Sequence, residues 1–152
     1  MTEPFQPSGS RSGEEPFVHM RMTIDQARAV ERALDAFMRL SIGQIEEVVN
    51  LVRMGYITPQ REDRLGMKEL QIFDDLLIQA KAALGHAPGA SLGIGNKNVS
   101  PLGARCYEVG KVLAKALAVH QDPSPQFRGV NYDGLTFRYT QDPEPMAWVH
   151  KE

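Results

Sequence analysis

Cysteine is almost missing from this sequence. Cys106 stands alone, which excludes an intrachain disulfide and any thiolate zinc cluster and fits a reducing compartment. Long hydrophobic runs are missing too: no stretch reaches the roughly 18 apolar residues that a membrane span requires, and the N-terminus lacks the basic-then-apolar pattern of a secretory signal. Neither sign of charge prevails. Seventeen Lys and Arg face 19 Asp and Glu, for a net −2 and a pI near 6.1, unlike a protein whose task is coating duplex DNA. What remains is a 152-residue chain, 42% hydrophobic and 24% charged, enough to build one domain with its own core.

Catalytic and metal-binding signatures are equally sparse. The four histidines, His19, His86, His120 and His150, are scattered, with no HExxH pair to place two imidazoles on one helical turn. GxSxG and the phosphate-loop lysine motif do not occur. The pairs Glu46-Glu47 and Asp74-Asp75 are helical neighbours, and adjacent helical residues point about 100° apart, so they do not converge on one substrate. Cys106 falls just inside a helix start, where the dipole favours a thiolate, but its apolar neighbours favour burial. No nucleophile, base and orienting group assemble. The chain is expected not to be an enzyme, and to use no metal and no cofactor.

Along the chain, residues 1–15 are rich in Pro, Ser, Gly and Glu and read as a disordered tail, since they offer little to bury against the entropy of ordering them. Residues 16–152 read as a single domain. Val18, Met20 and Met22 alternate with His19 and Arg21, the period of a half-buried strand. Thr23 with Gln26 forms a capping box, and Val30, Leu34, Phe37, Met38, Ile42, Ile45, Val48, Val49 and Val52 then lay an apolar stripe on a helix running to about Met54. Within it, Gly43 and a second capping-box spacing, Ser41 with Gln44, mark a kink or a break. Thr58-Pro59 suggests a short polar helical turn. The spacing of Leu70, Phe73, Leu77, Ala80 and Leu84 predicts a helix over Met67–Leu84, with Gly85 as its left-handed C-terminal residue. Ser100-Pro101 caps and starts a third long helix.

Beyond Gln121–Gln126, Asp133-Gly134 lies between Val130–Tyr132 and Leu135–Tyr139, a strong hairpin signal because a type I′ turn needs positive φ at both positions. Met146–Val149 would add a further strand. The expected fold class is α+β: three main helices packed with a small antiparallel β-sheet formed by N- and C-terminal strands.

One loop stands out as a ligand site. In HAPGASLGIGNKNVSP (86–101), Gly89, Gly93 and Gly95 let a backbone come close to a ligand, and Asn96 and Asn98 carry donors and acceptors suited to base edges or ribose. The Ser100-Pro101 helix start behind it presents free N–H groups to an anion. Residues 86–115 carry a net +3 in a chain that is acidic overall. Phe127, Arg128, Arg138 and Tyr139 would add stacking and phosphate contacts if the sheet lay beside this loop, although alternation puts Arg138 and Tyr139 on opposite faces.

Two stretches resemble a set of small phage-encoded proteins. Ala33-Leu34-Asp35-Ala36-Phe37-Met38-Arg39-Leu40-Ser41-Ile42-Gly43-Gln44-Ile45-Glu46-Glu47 is similar to their leucine-aspartate and isoleucine-glycine-glutamine-aromatic-glutamate-glutamate segment. Ala90-Ser91-Leu92-Gly93-Ile94, followed by Ala104-Arg105 and Tyr107-Glu108-Val109, resembles their serine-tryptophan-glycine-isoleucine loop and the arginine-containing helix after it. Leu92 stands where those proteins have an aromatic residue. The chain thus resembles the phage Thoeris anti-defence family of the first described type, over roughly residues 18–120.

That resemblance implies a sponge. Members sequester a cyclic ADP-ribose immune signal without degrading it, some also take up cyclic oligonucleotides, and they assemble as dimers or larger rings in the cytoplasm of the infected bacterium. It implies that Ser91, Leu92, Ile94 and Arg105 belong to the ligand site, which Asn96, Asn98, Phe127, Arg128 and Arg138 join from their own chemistry; the expected partners are the cyclic nucleotide and further copies of the chain, and neither DNA nor membrane. The alternative is an oligomeric phage protein that inhibits a host enzyme by direct binding, through exposed helix charges such as Arg32, Arg39, Glu46 and Glu47. A third reading, degradation of the signal, would turn on His86 beside the loop.

Overall fold

A computed structural model describes residues 16–60 and 63–150, and these form four α-helices in the order α1 (Ile24–Ser41), α2 (Glu47–Arg53), α3 (Met67–Ala83) and α4 (Pro101–Gln121), followed by a 3₁₀ turn at Val130–Tyr132. The expected tail, residues 1–15, lies outside them.

α1 begins as its sequence dictates. The Thr23 hydroxyl accepts from the Gln26 N–H at 3.2 Å, and the Gln26 side chain accepts from the Thr23 N–H at 2.9 Å, so two otherwise orphaned donors are satisfied. It ends at Gly43, with φ +90°. There the Gly43 N–H reaches Leu40 O and the Gln44 N–H reaches Arg39 O, both at 3.0 Å, the paired bonds of a Schellman terminus. A Cβ at Gly43 would also lie 2.7 Å from the His86 ring, so the backbone conformation and the close packing both call for glycine. The long apolar stripe is therefore broken at this point, and α2 carries its second part. α3 ends in the same way, with Gly85 N–H to Ala82 O at 2.9 Å and His86 N–H to Lys81 O at 3.2 Å. The helical turn expected after Thr58-Pro59 is absent from the described residues around it.

The main packing is α1 against α4. The pair is antiparallel: an ideal Cβ on Gly110 would sit 3.5 Å from Leu34, and one on Gly103 would sit 2.7 Å from Ser41 Cβ. Glycine at 103 thus lets the end of α1 reach the backbone of α4. Ile42, Ala104, Cys106, Leu113 and Ala114 are buried there. α3 packs only on α2 among the helices. Between them the buried Lys81 ammonium, with its side chain 2% exposed, meets the Glu46 carboxylate at 3.0 Å. Burial by itself would raise the Glu46 carboxyl pKa, but a backbone hydrogen bond and Lys81 outweigh it and hold the group below its ordinary value.

No β-strand occurs among the described residues, so the expected α+β fold with a terminal antiparallel sheet is replaced by a helical one. The hairpin fails at its turn. Asp133 has φ −68° and ψ −30°, right-handed helical rather than left-handed, and only Gly134 has positive φ. Val130–Asp133 therefore coils as a 3₁₀ turn, and the two flanks are not brought into register. Downstream, the N–H groups of Tyr139 and Thr140 bond to a side chain of α4, and Pro143 and Pro145 have no N–H to offer a ladder. At the N-terminal end the alternation does not correspond to half burial, since Val18 is 90% and Met20 72% exposed.

The C-terminal chain acts as a strap on α4. Tyr132 donates its hydroxyl to Ala118 O at 3.2 Å and Asp122 O at 2.9 Å, and Lys111 donates to Val130 O at 3.2 Å. From there the strap runs back toward the start of α4, past Glu108 to Arg105.

Candidate functional site

The candidate site is a cavity of about 390 Å³ where the 94–99 loop, the start of α4 and strap residues 139–142 meet. Each wall follows from local sequence. Ser100 caps α4 by accepting from the Gly103 N–H at 3.0 Å, with Pro101 in the first turn, which fixes Ala104 and Arg105 at the cavity edge. The loop is tied to the end of α1 by the Leu92 N–H, which donates to Ile42 O at 2.8 Å. Asn96 Oδ1 accepts from the Asn98 N–H at 2.9 Å, an Asx turn that leaves the Asn96 amide N–H groups as donors.

Tyr139 forms the third wall. A Cβ at Gly95 would lie 2.8 Å from its ring, so the ring rests on loop backbone that only glycine supplies at this distance. Its other neighbour is Tyr107, edge-on, with centroids 5.6 Å apart. Burial, followed by the nearby Tyr139 hydroxyl, pushes the Tyr107 pKa up.

Two acidic residues hold the strap. Glu108, 2% exposed, accepts from the N–H groups of Tyr139 and Thr140 at 2.6 and 2.8 Å and from the Thr140 hydroxyl at 2.8 Å. Burial alone would raise its pKa, but the Tyr139 and Thr140 hydrogen bonds and the charge of Arg138 outweigh burial, so its carboxyl is held below the ordinary value. Asp142 receives Arg105 Nε on Oδ2 at 2.5 Å and Nη2 on Oδ1 at 3.1 Å. That hydrogen bonding outweighs desolvation and lowers its pKa, and the charges of Arg105 and Arg138 act in the same direction.

Of the residues named from sequence, Ile94, Gly95, Asn96, Arg105 and Tyr139 line this cavity. Leu92 and Asn98 act beside it through the backbone bonds just described, while Ser91 is exposed outside the lining. Arg138 contributes charge near Glu108 and Asp142 without lining the cavity. Phe127 is 84% exposed and Arg128 lies over the Tyr132 ring at 5.9 Å, both outside the lining, because the sheet that was to carry them there does not form. Lys97, Thr140, Gln141 and Asp142 join the site, and Glu108 positions it. The signal for Glu108 was its isolation, an acid on a helix whose other charges, Arg105, Lys111 and Lys115, are all basic.

Cys106 is buried and burial pushes its thiol pKa up, so it is not the activated thiolate its helical position allowed. His86 packs on Gly43 and does not line the cavity. Among the described residues no three His, Cys, Asp or Glu side chains are grouped to hold a metal ion, and no helix is long and apolar enough to cross a membrane.

A larger cleft of about 730 Å³ lies further along α4, between Val112, Val119, Leu135, Met146 and Trp148. It contains none of the ligand-site residues named from sequence, and its charges, Lys115 against Asp133 and Glu144, are mixed. The smaller cavity has the denser set of directed polar groups, with an aromatic ring and a forked cation. Comparison with family models, curated proteins and solved structures finds no match.

Proposed function

We propose that the chain captures a cyclic nucleotide immune signal, a cyclic ADP-ribose isomer or a cyclic oligonucleotide, and holds it without turnover in the cytoplasm of a phage-infected bacterium. One observation carries the reading: Arg105, Asn96 and Tyr139, brought from a helix, a loop and the strap, share one cavity. Its volume lies within the range of small-molecule sites. Arg105 and Lys97 suit the phosphates, the Asn96 amide and Gln141 suit base or ribose edges, and the Tyr139 ring suits stacking. The lining carboxylate, Asp142, is taken up by Arg105, and binding without turnover is the reading that these groups support best. Capture then works by mass action, and the sponge must match the signal in concentration and bind it well below micromolar.

The test is thermal shift against cyclic ADP-ribose isomers and cyclic di- and trinucleotides. A shift that grows with ligand concentration is expected for at least one of them, and Arg105→Ala and Asn96→Ala should weaken it while leaving helix content intact. Absence of any shift, or full affinity in both variants, contradicts the reading.

A second reading draws on a different surface. On α3, Ile72 is 61% and Leu76 56% exposed, one turn apart on a helix that packs only on α2, and Leu84, about two turns further at its C-cap, is 66% exposed. Such a face supports a protein partner: another copy of the chain, as the sponge reading requires, or a host enzyme inhibited by direct binding. Denaturing the captured complex separates the sponge from the inhibitor, since a sponge releases an intact small molecule and an inhibitor brings down a host protein.

A further inference from the structure

Arg105 and Asp142 stand 37 residues apart in the chain, and their pairing closes one end of the cavity. The side chains are 52% and 39% exposed, and an ion pair so accessible to water adds little to stability. Its geometry is specific all the same. Two parallel N–H···O bonds from one guanidinium are the grip that Arg applies to a carboxylate or a phosphate. Asp142 therefore occupies the groups that a phosphate entering the cavity would need.

We propose that Asp142 is an internal stand-in for the anionic part of a ligand: it holds Arg105 while the cavity is empty, and a phosphate or diphosphate displaces it and frees the strap beyond Thr140. The inference rests on the nucleotide reading of this cavity and adds its regulation. Displacement is confined by how the strap is fastened. Upstream, Tyr139 and Thr140 are held by the buried Glu108 carboxylate, which takes no part in the exchange. Downstream, residues 143–150 make no backbone hydrogen bond among the described residues, and the Asp142 N–H itself makes only a 3.3 Å contact with the Thr140 hydroxyl.

The consequence reaches the second cleft, because Glu144–Val149 form one of its walls. Filling the small cavity thus loosens the large one, and the two are thermodynamically linked. The free chain also binds anions more weakly than Arg105 alone would, by the fraction of molecules in which Asp142 has let go.

The experiment titrates inorganic pyrophosphate into the full chain and into Asp142→Asn at fixed low ionic strength, by calorimetry, with amide exchange read across the strap. Asp142→Asn is expected to bind pyrophosphate at least about tenfold more tightly than the unaltered chain. Glu144→Gln, which removes the same charge two residues away without touching Arg105, should stay within about twofold. Saturating pyrophosphate should change the fluorescence of Trp148, the one tryptophan, as the wall of the second cleft loosens, while the Tyr139 and Thr140 amides stay protected. Arg105→Gln should abolish binding in both backgrounds, and unchanged far-UV circular dichroism shows that each variant is folded, with Asp142→Ala as a second route to the same result.

Equal affinity in the two proteins, an equal gain from Glu144→Gln, or no binding to Asp142→Asn overturns the inference. The two proposals fail separately. Pyrophosphate gripped by Asp142→Asn with no cyclic nucleotide captured removes the nucleotide reading alone, whereas nucleotide capture with neither a gain in Asp142→Asn nor a loosened strap removes the switch alone.

Discussion

Replacing Glu108 should release the strap by an amount the structure sets. Its carboxylate is 2% exposed and accepts three hydrogen bonds from Tyr139 and Thr140, at 2.6, 2.8 and 2.8 Å. Bonds to a charged acceptor contribute about 1.5–3 kcal/mol each in isolation, but the donors regain water once the strap lifts. For Glu108→Ala we therefore expect a loss of about 3 kcal/mol in the free energy holding residues 139–142 on α4, a factor of about 150 in the opening equilibrium. Glu108→Gln keeps one oxygen for both N–H groups and turns its amide toward the Thr140 hydroxyl. It loses the charge assistance, roughly half the strength of such bonds, and should open the strap about tenfold. Amide exchange at Tyr139 and Thr140 reads both numbers directly, with circular dichroism confirming that α1 and α4 persist. Exchange in Glu108→Ala at the unaltered rate would refute the account of what fastens the strap.

Acid should act through the same residue. The Glu108 carboxyl is held below its ordinary value in the folded chain, so its contribution is complete above the unfolded-state value and is lost as pH falls through the folded one. The protection of the Tyr139 amide, the slowing of its exchange relative to an unstructured peptide at the same pH, should therefore fall on acidification below the usual carboxylate range, and in Glu108→Gln this step should be missing. Loosening on raising the pH instead would contradict the assignment. At the start of α4, Gly103→Ala places a Cβ 2.7 Å from that of Ser41. Overpacking here should cost about 1–3 kcal/mol, seen as a lower melting temperature. The double variant Gly103→Ala/Ser41→Gly should be more stable than the sum of the single changes.

Much of the helical frame is legible in local patterns. The Thr23/Gln26 box, Gly85 and Ser100-Pro101 each mark a helix end through bonds among residues three to five apart, and all three form. Gly43 was readable as a kink or a break. The bonds of the Gly43 and Gln44 N–H groups, with Gly43 at φ +90°, make it a break, and His86, 43 positions away in the chain, packs where a side chain at that position would lie. The C-terminal region misleads because Asp-Gly suits two turns: with both residues left-handed it closes a hairpin, and with Asp133 right-handed it ends a 3₁₀ turn. Hydrophobic alternation alone does not choose between them.

The same division holds at the site. Ile94, Asn96 and Arg105 lie within a dozen residues of one another, and one loop and one helix start bring them together. Phe127 and Arg128 were placed by a sheet that is not there. Glu108 and Asp142 were invisible as partners because their bonds span 31 to 37 residues, and no periodicity encodes such a meeting. A lone acid on a basic helix was the single local trace of that contact.

The central claim is capture without turnover, and the most direct measurement is the fate of the ligand. The purified chain is mixed with the cyclic nucleotide that gives the largest thermal shift, separated from free ligand, heated, and the released molecule identified by mass spectrometry. The account predicts recovery of the unaltered cyclic nucleotide in stoichiometric amount, and loss of capture in Arg105→Ala. Release of an opened or cleaved product, or no bound nucleotide from any member of the panel, would contradict it.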